Sequence, residues 1–486
     1  MSGLGLVMFA VAIVLMIATG LPVYAVLLGV AAVFAALGVA LGAFEWHLLT
    51  AMPSRVVGLL EHDLLQALPL YALIGALLNR LPLAGLMHEA GERLFARSAG
   101  SAQLSALGIG ALLAPMNGSV GASLHMLARR VAPALAARGV APADATATVC
   151  VASTLGIVIP PSLVLLLLGD AMMRAHTEAT NATHATVRIV NTQDVMRAAL
   201  LPGLAVLVLA LAIAAWRARG RARAAFAPLG RAALAQATGA AMVIVLLLGT
   251  VATGRVYAVE AAATGGLLLL AWGAITRRLD HALLVAVLGD AMTLTGLLMA
   301  LLIGATSFSL VLRGFGTDTL VASALHTLDA RPLALLGAVL AGMVACSFVL
   351  DAFEMIFLVV PLVMPPLLAV VPDAAWVATL TLLVLQMGFL LPPLGYAVVM
   401  SRLATREPPP LAALARALAP QLVAQALLIA ALVAWPGLTH WGANDAGAGG
   451  APAMSNDQAE RLMDDAFRGQ SRDAAPDASS ASKPSR

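Results

Sequence analysis

Charge is scarce in this chain. Asp, Glu, Lys and Arg make up 11% of its 486 residues, against about 25% in soluble domains, and lysine is nearly confined to Lys483. With 61% hydrophobic residues and a mean hydropathy of +0.94, the chain cannot clothe itself in a solvated surface and reads as a polytopic membrane protein. The net charge of +3 does not point to a nucleic-acid partner, because the arginines gather between apolar runs, where they report topology. Cysteine is limited to Cys150 and Cys346, each alone in an apolar segment, which excludes a disulfide framework and a cysteine metal site. An HExxH pair, a matched Ser/His pair and a Cys/His array are all missing, which counts against the alternative of a membrane-embedded enzyme. No Gly-rich phosphate loop followed by Lys-Ser/Thr occurs, so this chain is not expected to hydrolyse ATP, and no cofactor is expected.

What is present is a series of apolar runs, of which about 20 residues are needed to cross a bilayer. Residues 4–19 and 22–44 read as the first two spans, the former retained, because no signal-peptide cleavage pattern follows it. Residues 47–60 carry Arg55 and suit the interface. Residues 64–78 read as a short span kinked at Pro69, and 85–97 as an amphipathic surface helix. Residues 103–115 and 124–135 flank Asn117-Gly118-Ser119; both pieces are short for a crossing, so a re-entrant hairpin and a surface helix–turn–helix fit equally on composition. Residues 146–168 follow, then a polar connector, 170–197, and a span, 198–216. The span ends in Arg217, Arg219, Arg221, Arg223 and Arg231, the strongest topological signal, which places this loop in the cytoplasm.

In the second half, residues 240–253 and 256–275 are spans, and 283–312 contain a dense hydroxyl cluster, Thr306-Ser307-Phe308-Ser309. Residues 333–350 lead to Asp351-Ala352-Phe353-Glu354, then come 355–371, 375–400 and 411–434. An acid at membrane depth costs several kcal/mol unless paired or hydrated, which makes Asp351 a functional candidate. The resulting organisation is a first membrane repeat over 1–216, a basic cytoplasmic linker over 217–238, a second repeat over 239–435 and a polar tail over 436–486 expected to be disordered.

The two halves share a register. Gly156 is followed after three residues by Pro160-Pro161, and Gly388 after three by Pro392-Pro393, both inside runs that should otherwise be helical. The offset is 388 − 156 = 232, and at that offset Ser119 falls on Asp351 and Pro133 on Pro365, while 23–26 recurs as 256–259 at 233. Paired prolines cannot continue a helix, so each run is expected to stop at its glycine and restart at the prolines, with carbonyls and N–H groups facing the gap. Matched broken helices in two repeats point to a secondary transporter's midplane site, carbonyls serving a cation and N–H ends an anion. A channel would use the same breaks as a filter. The candidate binding residues are Asn117, Gly118 and Ser119; Ser153, Thr154, Gly156, Pro160, Pro161 and Ser162; Ser307 and Ser309; Asp351; and Gly388, Pro392 and Pro393.

These stretches resemble the large permease subunit of tripartite ATP-independent periplasmic (TRAP) transporters, and more closely its mannitol, chloroaromatic and keto-acid branch. The resemblance rests on 117–122, on 153–162 with Leu168-Gly169-Asp170, on 306–311, on 348–351 and on 390–396, and spans roughly 4–435. It implies an all-α polytopic fold of two inverted repeats with re-entrant hairpins and broken helices, an elevator mechanism, and a place in the bacterial inner membrane. It also implies sodium coupling through Ser119, Gly156, Asp351 and Gly388, a small membrane subunit and a periplasmic substrate-binding protein as partners, and a small organic acid as substrate. Two positions depart from the family pattern: Leu391 stands where a threonine is usual and Val384 where an asparagine is common. Each removes a side-chain oxygen, so a cation at the second break would depend on backbone carbonyls.

Overall fold

The computed structural model describes residues 2–60, 63–183, 190–219, 230–317, 319–320, 323, 332–405 and 407–440. Arg221 and Arg223 of the basic loop and the tail from Trp441 onward lie outside the described residues. In chain order the main helices are α1 Ser2–Thr19, α2 Val23–Ala40, α3 Met52–Leu60, α4 Ala67–Arg80, α5 Leu83–Leu94, α6 Ser101–Leu113, α7 Val120–Arg130, α8 Pro142–Val158 and α9 Leu163–Thr183. They continue as α10 Thr192–Arg217, α11 Arg231–Ala252, α12 Ala258–Ile275, α13 His281–Gly314, α14 Pro332–Cys346, α15 Val360–Val370, α16 Ala374–Leu390, α17 Tyr396–Leu403 and α18 Leu411–Ala434. Among the described residues, seven helical spans are long and apolar enough to cross a membrane, or up to nine if two bent pairs each count as one. The bent pairs are α4 with α5, at 68°, and α8 with α9, at 40°.

Burial separates an inner from an outer set. α8 and α16 are enclosed on all sides along almost their whole length, as expected of helices that are apolar all round. Outer helices instead expose large apolar side chains, among them Met242, Leu246, Ile275 and Met292, which in a membrane face lipid. In the inner set, packing depends on small residues. A Cβ on Gly110 of α6 would stand 2.5 Å from the Ala152 carbonyl oxygen of α8, and one on Gly156 would stand 2.6 Å from the Ala114 carbonyl oxygen. Gly110 and Ala114 are one turn apart, as are Ala152 and Gly156, so two small-residue pairs let the backbones touch.

Counterpart helices share bounds. α8 and α16 are both 17 residues long, and 142 + 232 = 374 and 158 + 232 = 390 give the ends of one from the other. Both prolyl bonds, Pro160-Pro161 and Pro392-Pro393, are cis. Packing is reciprocal as well: α2 lies on α13 while its counterpart α12 lies on α4, and α7 lies on α17 while α15 lies on α9. α8 and α16 pack on each other, and there Gln386 Nε2 donates to Thr154 Oγ1 at 3.4 Å. Those two residues are themselves 232 apart.

Several local expectations change. The helices do not stop at Gly156 and Gly388 but run two residues further, to Val158 and Leu390; the first glycine answers to close packing, not to chain reversal. The restart comes after the prolines: Ser162 Oγ accepts from Leu165 N at 3.1 Å and caps α9. Pro69 makes no kink, because it lies in the first turn of α4, where its missing N–H has no intrahelical partner to lose. α5 is no simple surface helix, since it packs on α6 and α11 and buries Glu92, whose carboxylate receives Arg138 Nη2 at 2.8 Å. The polar connector is helical as far as Thr183, burying Met172, Ala175, His176 and Ala179 at helical spacing while its threonine hydroxyls bond back to carbonyls. Residues 231–238 form the first two turns of α11, and Pro436–Thr439 is a packed 3₁₀ turn with Thr439 buried.

Candidate functional site

The first hairpin descends through α6, turns at Pro115–Asn117 and leaves through α7. The turn needs Gly118, at φ 72°, a region costly for side-chain-bearing residues. Ser119 then starts α7, its Oγ accepting from Ala122 N at 3.1 Å. The hydrogen bonds fix the amide of Asn117. Ser123 Oγ donates to the Ser119 carbonyl at 3.0 Å and must therefore accept from Asn117 Nδ2, at 3.2 Å. Asn117 Oδ1 is left fully buried with no partner among the described residues, a condition that costs about 1–3 kcal/mol unless something fills it.

The second hairpin descends through α14 and turns at Asp351. Asp351 Oδ1 accepts from Phe353 N at 2.9 Å and Glu354 N at 3.0 Å, and Glu354 Oε2 accepts from Asp351 N at 2.9 Å. This reciprocal cap holds two carboxylates within one turn, followed by a π-helical turn, Met355–Val359. Among the described residues neither carboxylate has a basic partner at ion-pair distance.

At the first break, Ser153 and Thr154 are buried and spend their hydroxyl protons on the carbonyls of Cys150 and Val151. At the second, the backbone itself makes a cradle. A Cβ on Gly395 would lie 2.6, 2.8 and 2.9 Å from the carbonyl oxygens of Phe389, Leu391 and Gly388, so only glycine fits there, and two of these carbonyls are already engaged, Leu391 by Gly395 N at 2.9 Å and Gly388 by Leu391 N at 3.2 Å.

Two of these parts meet. Gly118 at the first hairpin tip lies near Leu163, the first residue of α9, and near Leu294 of α13. Tyr396, the first residue of α17, was not singled out by the sequence as a site residue. Its hydroxyl stands 2.9 Å from where a Cβ on Gly121 would be, and it lies within electrostatic reach of Asp351 and Glu354. It therefore touches the first hairpin while sensing the second. The only signal was its place at the end of the second break.

Ser307 and Ser309 separate. Ser307 Oγ donates to the Ile303 carbonyl at 2.7 Å, whereas Thr306 and Ser309 line a cavity of about 480 Å³ between α3, α9, α13 and the second hairpin. Its charged lining is Arg55, Asp170, Arg174, Glu178 and Arg313. Arg174 Nε meets Asp170 Oδ2 at 3.1 Å and Arg313 Nη2 meets Glu178 Oε2 at 3.1 Å. Asn117, Ser119, Asp351 and both proline pairs lie outside this cavity's lining.

Multiple helical spans, a bent inner helix pair, two cis-proline breaks and hairpins that carry buried oxygens define a polytopic, all-helical membrane protein with broken helices. Residues 9–438 match the family described as tripartite ATP-independent periplasmic transporter, DctM component, and the chain belongs to that family. It is accordingly a multi-pass protein of the bacterial inner membrane that works in secondary transport, in a family whose transporters also include a small membrane subunit and a periplasmic binding protein. Among solved structures it is similar to the YdaH transporter of Alcanivorax borkumensis, reported to have an unusual topology, at 17% identity and a TM-score of 0.58, covering 80% of this chain and 88% of that one. That likeness concerns the fold. No curated protein sequence matches significantly.

Proposed function

We propose that the chain is the large permease subunit of a sodium-coupled importer for a small organic acid, handed over by a periplasmic binding protein, with a small membrane subunit as its partner. The observation that carries the cation reading is Asn117 Oδ1, a buried carbonyl oxygen whose amide is fixed by Ser123 and which has no partner among the described residues. A hard monovalent cation fits such an oxygen, and the Asp351 carboxylate at the tip of the second hairpin is a further candidate ligand. Coupling through Ser119, Gly156, Asp351 and Gly388 belongs to this reading, as does the branch that takes keto acids and chloroaromatics. A channel would need a continuous water path through these breaks; the enclosed α8 and α16 favour a carrier. Reconstituted with its partners, the protein is expected to accumulate solute under an imposed inward sodium gradient, and Asn117→Ala to raise the sodium concentration for half-maximal uptake. Uptake that is unchanged when choline replaces sodium rejects the coupling ion.

The same reading divides the chain into repeats over 1–216 and 239–435, inverted with respect to each other. Arg217 pairs with Asp144 at the start of α8, so the end of α10 and the start of α8 share one membrane face, the cytoplasmic face if the basic loop lies inside. The amino terminus is then periplasmic. Single cysteines at Ser2 and Arg219 are expected to label from opposite sides, and labelling from the same side makes the halves parallel.

A further inference from the structure

A second cavity lies where the end of α4 and the first turns of α13 face the far end of α7. Its volume is about 570 Å³, within the ~300–1,000 Å³ usual for small-molecule sites. Ala122, His125, Met126 and Arg129 line it at helical spacing, with Arg130 beside them, so one stripe of α7 grades from small and apolar side chains to cationic ones. Met126 is buried, whereas His125, Arg129 and Arg130 are exposed. Across the cavity, Arg80 of α4 donates to both carboxylate oxygens of Asp290 on α13, from Nε at 2.6 Å and from Nη2 at 3.0 Å, and that pair is neutral. Arg129, Arg130 and His125 have no acidic partner among the described residues. Two guanidinium groups therefore share a cavity without a counter-charge, a repulsive arrangement that a bound anion relieves.

The cavity also sits at a membrane boundary. α12 ends at Ile275, Arg277-Arg278 follow, and Leu283 of the cavity lies in the first turn of α13 directly after them. From the other side, α7 runs on through Ala132–Ala137 to α8, whose Asp144 pairs with Arg217 at the end of α10. Both routes lead to the basic ends of spans, the face that arginine enrichment marks as cytoplasmic. The basic connection over 220–229, outside the described residues, contains no Asp or Glu that could neutralise the arginines. We propose that this cavity is a headgroup site for an anionic phospholipid of the cytoplasmic leaflet, its phosphate held between Arg129 and Arg130. A guanidinium can donate to two phosphate oxygens at once, and basic pockets between membrane helices recognise such headgroups. A lipid must enter from the side, which exposed arginines at the end of a span permit. α7 makes no ion pair of its own with α4 or α13 among the described residues, so the phosphate ties the outgoing arm of the first hairpin to those two helices. The inference goes beyond the transport reading: it uses neither the coupling ion nor the solute, and only the choice of leaflet follows from the topology above.

The test is binding to the purified full chain with its small membrane subunit in lipid-free detergent, read by native mass spectrometry and by the thermal unfolding midpoint. The probes are phosphatidylglycerol, phosphatidylcholine, glycerol 3-phosphate and inorganic phosphate. Phosphatidylglycerol is expected to bind saturably, at least about tenfold more tightly than phosphatidylcholine, and to raise the midpoint, while the two soluble phosphates give no comparable shift at the same concentration. Arg129→Gln with Arg130→Gln is expected to weaken phosphatidylglycerol about tenfold or more, and Arg129→Lys with Arg130→Lys to restore part of the loss. Arg219→Gln with Arg231→Gln, which removes two charges of the basic connection outside the cavity, is expected to leave the affinity at the wild-type value. Equal binding of phosphatidylcholine overturns the proposal, as does a phosphatidylglycerol affinity that the cavity pair leaves unchanged or that the control pair lowers as much. A shift from either soluble phosphate equal to that from phosphatidylglycerol also overturns it, making the cavity a site for a soluble anion. Because the four-probe panel uses the wild-type chain, it decides the matter even where a variant fails to fold. Uptake that proves independent of sodium leaves this site standing, and equal binding of the two lipids leaves the coupling untouched.

Discussion

Valine in place of Gly156 is expected to abolish the folded permease, and alanine there to cost about 1–3 kcal/mol or more. The added Cβ meets the Ala114 backbone carbon and oxygen, each at 2.6 Å, and backbone cannot move aside as a long side chain can. Relief would require α6 and α8 to separate, which drags the first hairpin tip away from Leu163 and Gly75, against which Asn117 and Gly118 lie. Gly110→Val should behave in the same way, since it meets Ala152 from the other helix. Gly108→Ala is the control: it lies on the same helix with nothing within 4 Å, and alanine is the better helix former. The check is the yield of monodisperse protein and its unfolding midpoint in detergent. Normal folding of Gly156→Val and Gly110→Val would mean that the small-residue contact is not what joins the hairpin to the broken helix.

The second large effect is expected at Asp351. Asparagine keeps an oxygen able to accept from Phe353 N and Glu354 N, so the cap survives while a charge is lost. Asp351→Asn should assemble normally and raise the half-saturating sodium concentration about tenfold, equivalent to ~1.4 kcal/mol. Asp351→Ala loses the cap as well, a further ~1 kcal/mol of local stability. Ser119→Ala, at the equivalent position, removes a neutral capping oxygen and no charge, and is expected to change the sodium requirement only two- to threefold, by roughly the worth of one neutral hydrogen bond. The measurement is sodium-dependent uptake at matched expression. Wild-type values for Asp351→Asn would make the carboxylate a helix cap and nothing more.

The covalent and compositional signals were visible in the sequence, whereas features that depend on which atoms approach each other were not. Proline pairs at one spacing announced both breaks, because proline constrains the chain without help from its neighbours. Asp351 announced itself because an acid in an apolar run needs a reason. The role of Gly156 was hidden, since a glycine before a break looks like a stop signal and only the approach of Ala114 shows it to be a contact. The hydroxyl cluster misled in a similar way. Ser307 and Ser309 are indistinguishable as letters, and the difference between a hydroxyl bonded to its own helix and one facing a cavity is a matter of helix rotation. The cradle at Gly395 could not be read at all, being made of carbonyl groups that every residue carries. The helical course of residues 170–183 was missed because its polar face dominated the composition, while the period of Met172, Ala175, His176 and Ala179 was sparse.

The length of α13 bears on the membrane around the protein. Its 34 residues extend to about 51 Å at the usual rise per residue, well beyond a hydrocarbon layer of roughly 30 Å. Asp290, paired with Arg80 of α4, and Arg313, paired with Glu178 of α9, are 23 residues apart on it, or about 35 Å. One rod thus carries two ion pairs set farther apart than the hydrocarbon layer is thick. The interval between these pairs is fixed by the helix, so it acts as a gauge of lipid chain length: a thin bilayer leaves the ends proud or tilts the rod, and a thick one draws charged side chains toward the acyl chains, where they are costly.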